Sequence, residues 1–193
     1  GLVYPFMTGE RFCAVPEDPF SRYAVSCDYG TANPSSFGLW AKKARVWYRI
    51  AEYYYDSRRT GAQRTDEEHY RALEELCAGK TIDFIVADPS AASFIALIRR
   101  RGKYRVRRAD NAVLDGIRRT AALKRGDLRV CRCCKDAMRE FGLYRWDAAK
   151  SCDAPVKEND HAMDDIRYFA SAVLRPAGGF AAFAAARNHE GGY

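Results

Sequence analysis

Between Arg22 and Tyr55 three runs of strand-forming residues follow one another with only short turns between them. In the first, Arg22 to Asp28, Tyr23, Val25 and Cys27 alternate with smaller residues, and a Gly/Asn/Pro loop over Asp28–Pro34 closes it. Ser36 to Ala41 fits a second strand, and Arg45 to Tyr55, rich in Val, Trp, Tyr and Ile, a third. Connections this short predict an antiparallel meander. The chain then changes habit. Thr65 with Glu68 forms a capping box that opens a helix through Tyr70, Leu73, Leu76 and Cys77, and Gly79 stops it. Thr81 to Asp88 is a short apolar run that follows this helix, so it is expected as a buried parallel strand beside the first.

The remaining pattern alternates. A helix is expected over Ser90–Arg101, a short strand over Tyr104–Arg107, a helix over Ala112–Arg125, a strand over Leu128–Cys131 and a helix over Lys135–Phe141. A β-hairpin over Gly142–Lys157 and a last helix over Asp160–Val173 follow. The polar stretch Asp56–Gln63 reads as a loop. The order predicts an α/β fold: one mixed sheet, three antiparallel strands and then parallel ones, with helices on both faces. Residues 1–21, with Pro5, Pro16 and Pro19, read as a linker arm holding one short strand within Arg11–Val15 and pinned by Phe6, Phe12 and Phe20. Residues 22–175 form the domain, and the Gly/Ala-rich residues 176–193 a frayed tail.

Composition narrows the class. A chain of 193 residues suits one domain. Its net charge of +7 and pI near 9.1 point to a polyanionic partner such as nucleic acid. Seven irregularly spaced Cys, with no secretory leader and no apolar span near membrane length, suit free thiols in a reducing cytosol. Cys131, Cys133 and Cys134 cluster without a second Cys/His pair at zinc-finger spacing. No Gly-x-x-x-x-Gly-Lys-Ser/Thr loop occurs, so no nucleotide-driven motor of that kind is expected in this chain, and Gly1 in place of Met reads as a piece of something larger.

The acids carry the chemistry. Asp28 ends the first strand and Asp88 ends the strand placed beside it. Parallel neighbours put their C-terminal ends at one sheet edge, where open α/β folds build sites. If Asp160 caps the last helix, His161 and Asp164 lie at i and i+3 on one face of its first turn. Three carboxylates that close repel unless a cation sits among them, and oxygen-rich clusters suit Mg²⁺ or Mn²⁺. Two such ions about 4 Å apart can activate a water for phosphodiester hydrolysis. Asp165 reads as a solvated or salt-bridged acid, Asp83 and Asp115 as surface charges, His69 as an ordinary residue on the polar side of its helix, and Arg167 and Tyr168 as supports of the fold. The basic run Arg99-Arg100-Arg101-x-Lys103-x-Arg105-x-Arg107-Arg108 is either a phosphate-binding strip or a solvated helix end, and the pairs Arg58-Arg59 and Arg118-Arg119 read the same two ways.

Strand-Asp28-x-Gly, apolar strand-Asp88-Pro, and Lys157-x-Asn-Asp160-His161-x-Met-Asp164-x-Ile-Arg167-Tyr168 together resemble the nuclease domain of the tailed-bacteriophage terminase large subunit. The resemblance runs from about Val3 to Val173, and the last motif is its most specific part. It implies a ribonuclease H-like fold and an endonuclease that cuts double-stranded viral DNA during genome packaging. Asp28, Asp88 and Asp164 would bind the metal, with His161 as a further ligand or proton-transfer group. The hairpin would border the site, with Lys157 near the scissile phosphate. Arg99, Arg101 and Lys103 are the remaining candidates for DNA contact. An N-terminal ATPase domain, a small terminase subunit and a portal protein would be its partners, in the host cytoplasm at the procapsid. A junction resolvase of the same superfamily, or a non-catalytic DNA- or portal-docking module, is the alternative.

Overall fold

The meander forms as the sequence predicts, and it lies near the middle of a larger sheet. In a computed structural model that describes residues 1–174, the strands are β1 (Phe12–Cys13), β2 (Arg22–Asp28), β3 (Ser35–Lys43), β4 (Val46–Tyr55), β5 (Ile82–Ala87), β6 (Val106–Arg108) and β7 (Leu128–Cys131). They make one mixed sheet in the order β1-β7-β4-β3-β2-β5-β6. The pairs β2–β3 and β3–β4 are antiparallel; β2–β5, β5–β6, β4–β7 and β1–β7 are parallel. This is the ribonuclease H-like mixed sheet. The tail expected over 176–193 lies outside the described residues.

Among the described residues seven α-helices join the strands: α1 (Ser57–Thr60), α2 (Asp66–Cys77), α3 (Ala92–Arg101), α4 (Val113–Arg119), α5 (Ala122–Arg125), α6 (Lys135–Phe141) and α7 (His161–Val173). The capping box of α2 is present, with the Thr65 hydroxyl accepting from Glu68 N–H and the Glu68 carboxylate from Thr65 N–H. The sheet is covered on both faces. On one, Val25, Cys27, Ile85 and Ala87 pack with Leu73 of α2 and Phe94 and Ile98 of α3. On the other, Ala24, Trp40, Phe84 and Val86 pack with Ile166 and Phe169 of α7. Phe169 stacks on Trp40 with ring centroids 4.2 Å apart and meets Trp47 edge-on. Burying each such large side chain contributes about 1.5–3 kcal/mol.

α7 carries an acid into that core. Asp165 and Arg49 are both fully buried and paired. The Asp165 carboxylate also accepts from Arg49 Nη2 at 3.0 Å, Ser26 Oγ at 2.7 Å and Ser36 Oγ at 2.6 Å. Burial pulls the Arg49 pKa down, but Asp165 and Glu52 overcome it and hold the guanidinium charged. Gly38 makes room: a Cβ there would overlap that guanidinium. Asp165 is therefore salt-bridged, but in the core and not at the surface. Its neighbours on the same stripe, Ala162 and Phe169 at i−3 and i+4, face the sheet, and Asp165 must go with them.

Three other expectations are corrected. The helix expected over Ala112–Arg125 breaks into α4 and α5, where Thr120 Oγ donates to Ile117 O at 2.5 Å and meets Tyr4 Oη at 3.0 Å. The hairpin over Gly142–Lys157 shrinks to one antiparallel bridge, Trp146 to Pro155, flanked by Asp147 N–H to Ala154 O and Val156 N–H to Arg145 O. Pro155 has no N–H with which to extend a ladder. His69 is 1% exposed, not a polar-side residue, and lies among the rings of Tyr29, Phe37, Tyr53 and Tyr55. At the other end of the chain, Val3, Tyr4, Met7 and Phe12 are buried in the core, and Phe6 packs against it.

Candidate metal centre and nucleic-acid cleft

The β2–β5 parallel pair sets two acids at one edge. Cys27 pairs with Ala87, so Asp28 and Asp88 follow at the same level, and Asp88 N–H donates to Cys27 O at 3.0 Å. Asp28 shares its strand face with Ala24 and Ser26, which point to α7. α7 begins over that edge, and His161 Nδ1 lies 2.8 Å from Asp28 Oδ2. Asp28 is 7% exposed. Its pKa rises to about 7 because of burial first; the His161 hydrogen bond opposes the rise, and the charges of Asp164 and Asp88 add to it. Burial raises the Tyr168 pKa, and the charges of Asp28, Asp164 and Asp88 add to the rise. Burial lowers the pKa of His161, but the hydrogen bond and charge of Asp28, with Asp160 and Glu140, more than reverse that.

The N-terminus of α7 is not capped as the sequence suggests. Asp160 makes no capping side-chain hydrogen bond. Glu140 of α6 supplies the cap instead: its Oε2 accepts from Ala162 N–H at 2.6 Å and from Met163 N–H at 3.3 Å. The Tyr54 hydroxyl donates to Glu140 Oε1 at 2.6 Å. Glu140 is fully buried, and sequence reading missed it. The signal was there, because Glu140 sits beside Ala137 and Phe141 on the buried face of α6. Asp160, 7% exposed, faces His161, with Oδ1 3.8 Å from Nε2, and its pKa is raised by burial and then by Asp164.

The donor set has the chemistry of a hard divalent cation site: three carboxylates and one imidazole, one carboxyl pushed up by burial and by its neighbours. Among the described residues no three such groups close to metal-binding distance. Asp164 Oδ1 instead accepts from Arg167 Nη2 at 2.9 Å, and Asp88 Oδ1 from Ser90 N–H at 2.9 Å. In kind, these residues fit such an ion.

A cleft of about 400 Å³ opens beside His161. Arg58, Arg59, Arg139 and Lys157 line it, with Tyr54 and Asp160. The first two reach it because the stretch expected as a loop contains α1, capped by Asp56, whose carboxylate accepts from Arg58 N–H. Of the four candidates for DNA contact, the structure brings Lys157 to the site and leaves three away from it. Arg101 pairs with Glu67 and Lys103 with Glu74, both on α2. Arg99 is in the last turn of α3, which runs ten residues back from the acids, about 15 Å. Cys131 ends β7 and Cys134 precedes α6, and all seven Cys are free thiols.

The large terminase of a thermophilic bacteriophage, in complex with ADP, superposes on this chain with a TM-score of 0.87 and 42% identity, over 91% of this chain and 46% of that one. This chain has the fold of a large-terminase nuclease domain. The nuclease domain of the P22 large terminase matches with a TM-score of 0.71 and 17% identity, over 89% of this chain and 92% of that one. The large terminase nuclease of thermophilic phage G20c with bound magnesium matches at 0.65 and 13%, over 88% and 96%. At those identities the last two show the fold alone. The chain spans about half the length of the ADP-bound terminase. No protein-family model and no curated protein matches it.

Proposed function

We propose that this chain is a divalent-metal-dependent endonuclease that cuts double-stranded viral DNA during genome packaging, as the C-terminal part of a terminase large subunit. The observation that carries the reading is the buried Asp28–His161 pair, with Asp88 level with Asp28 on the next strand, and His161 at the wall of a cleft that Arg58, Arg59, Arg139 and Lys157 line together with Asp56, Glu158 and Asp160. Asp28, Asp88, Asp164 and His161 would hold Mg²⁺ or Mn²⁺, two ions in the full site. When bound, the ions neutralise the phosphate and lower the pKa of a water. The G20c nuclease has been seen with bound cobalt and with bound magnesium, which supports a divalent ion here.

The chain's own groups do the rest. Asp28 fixes the His161 ring through Nδ1 and leaves Nε2 facing Asp160, where it can hold or pass a proton. Glu140 sets the helix that carries His161 and Asp164. Arg58, Arg59, Arg139 and Lys157 hold phosphates electrostatically, without reading sequence. An N-terminal ATPase domain, a small terminase subunit and a portal protein complete the assembly, in the host cytoplasm. No helix among the described residues is long and apolar enough to cross a membrane. Purified chain with Mn²⁺ should convert supercoiled plasmid to linear and smaller products, and a chelator should stop it. Asp28→Asn, Asp88→Asn and Asp164→Asn should each remove the activity while the melting temperature is kept; cutting by all three would sink the reading.

A further inference from the structure

A second basic groove, of about 470 Å³, lies along the β5–β6 edge of the sheet and is lined by Arg22, Lys103, Arg105 and Arg107, with Asp83 and Phe84. We propose that this groove is a second duplex-DNA contact, which holds the substrate some distance from the cleavage site; the inference rests on the nuclease reading. Arg22 pairs with Asp83 at 2.5 Å and Lys103 with Glu74 at 3.4 Å. Among the described residues Arg105 and Arg107 form no ion pair, and both are exposed. Arg107 is set in place by Phe84, its guanidinium carbon 4.2 Å from the ring centroid.

The placement favours a long, regular polyanion. β6 is the last strand of the sheet, with its outer edge unpaired among the described residues. Its register with β5 sets Val86 against Arg107 and Ala87 against Arg108, next to Asp88. Arg105 and Arg107 share one face of this edge, and Arg108 turns to the other, so the two groove cations run along the strand towards the acids. Arg105 and Arg107 line the same groove two residues apart, about 7 Å. That is about the axial rise of two nucleotides in a strand of duplex DNA. The groove begins beside Ile82 and Asp83, about 17 Å before the acids at the end of β5, and its nearest cation, Arg107, pairs with Val86, two residues or about 7 Å from Asp88. Phe84 is 2% exposed, so the groove does not offer the apolar centre that a protein partner would bury.

The test is binding measured apart from cutting. Fluorescence anisotropy of a labelled duplex of about 30 base pairs, in chelator and over a salt series, compares the chain with Arg105→Glu/Arg107→Glu and Arg105→Gln/Arg107→Gln. The proposal expects each double variant to bind about tenfold more weakly or worse near 0.1 M salt, with the slope of log K against log salt shallower by about 2. Unchanged affinity and slope for this duplex in the Gln pair, with an unchanged melting temperature, would overturn it. Should the chain bind but never cut with Mn²⁺, the nuclease reading fails and this one is still decided by the binding data.

Discussion

Removing Asp165 should cost more than removing any of the proposed metal ligands. The carboxylate takes donors from both Arg49 nitrogens Nη1 and Nη2, from Ser26 and from Ser36, and neither it nor Arg49 is exposed to solvent. In Asp165→Ala the guanidinium stays charged, because no buried arginine gives up its proton, and it keeps only Glu52 at 3.3 Å. Breaking such a pair from one side costs about 3–5 kcal/mol. That is a large share of the roughly 5–15 kcal/mol that holds a domain folded. For a chain of this size it corresponds to a melting temperature lower by about 6–20 °C. The assay is urea unfolding followed by tryptophan fluorescence, since Trp40 packs on Phe169 of the same helix. Replacing both partners, Arg49→Met with Asp165→Leu, should recover most of the loss, because the uncompensated charge is gone. A single variant that costs under about 1 kcal/mol, or a double variant as unstable as the single one, would refute the reasoning.

Three further outcomes follow from other contacts. Burial lowers the His69 pKa from its ordinary 6.5 to about 4. The unfolded chain therefore takes up the proton first as pH falls; stability is intact above about 6.5 and is lost towards pH 4, by up to about 3 kcal/mol. His69→Phe should flatten that part of the stability–pH curve, and an equal slope in both proteins would contradict it. Glu140→Gln leaves a neutral group at the start of α7 and should weaken half-maximal activation by Mn²⁺ more than it lowers maximal cleavage, whereas a purely structural role would lower the melting temperature and leave the Mn²⁺ midpoint alone. Arg58→Glu with Arg59→Glu should raise KM for short and long duplexes alike with little change in kcat; a fall in kcat at unchanged KM would place them elsewhere in the reaction.

The strands and their order were legible because each signal is local. The alternation in Tyr23–Cys27, the Gly/Asn/Pro loop after Asp28 and the Thr65–Glu68 box act within a few residues. The pairing of β2 with β5 followed from the intervening helix, and with it the placement of Asp28 beside Asp88. What the sequence hid is supplied across the fold. Asp160 looked like a cap, yet the cap comes from Glu140, twenty-two residues before Ala162. Asp165 looked exposed because charge usually is, although its place between Ala162 and Phe169 on one helix stripe pointed inward. Arg58 and Arg59 stood out only as one basic pair among several, because a four-residue helix in a polar stretch has no apolar period to announce it.

Asp164 and Asp165 show how the two requirements are met by one helix. Successive residues on a helix point about 100° apart, so a register that sends Asp165 into the sheet leaves Asp164 at its rim. There Asp164 meets Arg167, and His161 one turn earlier meets Asp28. The buried pair with Arg49 ties that register to β4, and the Ser26 and Ser36 hydroxyls tie it to β2 and β3, the strands that carry and flank Asp28. A rotation of α7 by one residue would strand Arg49 and carry His161 away from Asp28 together. The charge in the core is therefore what specifies the geometry at the edge, and it explains why an acid of no direct use to the chemistry stands beside one proposed to do it.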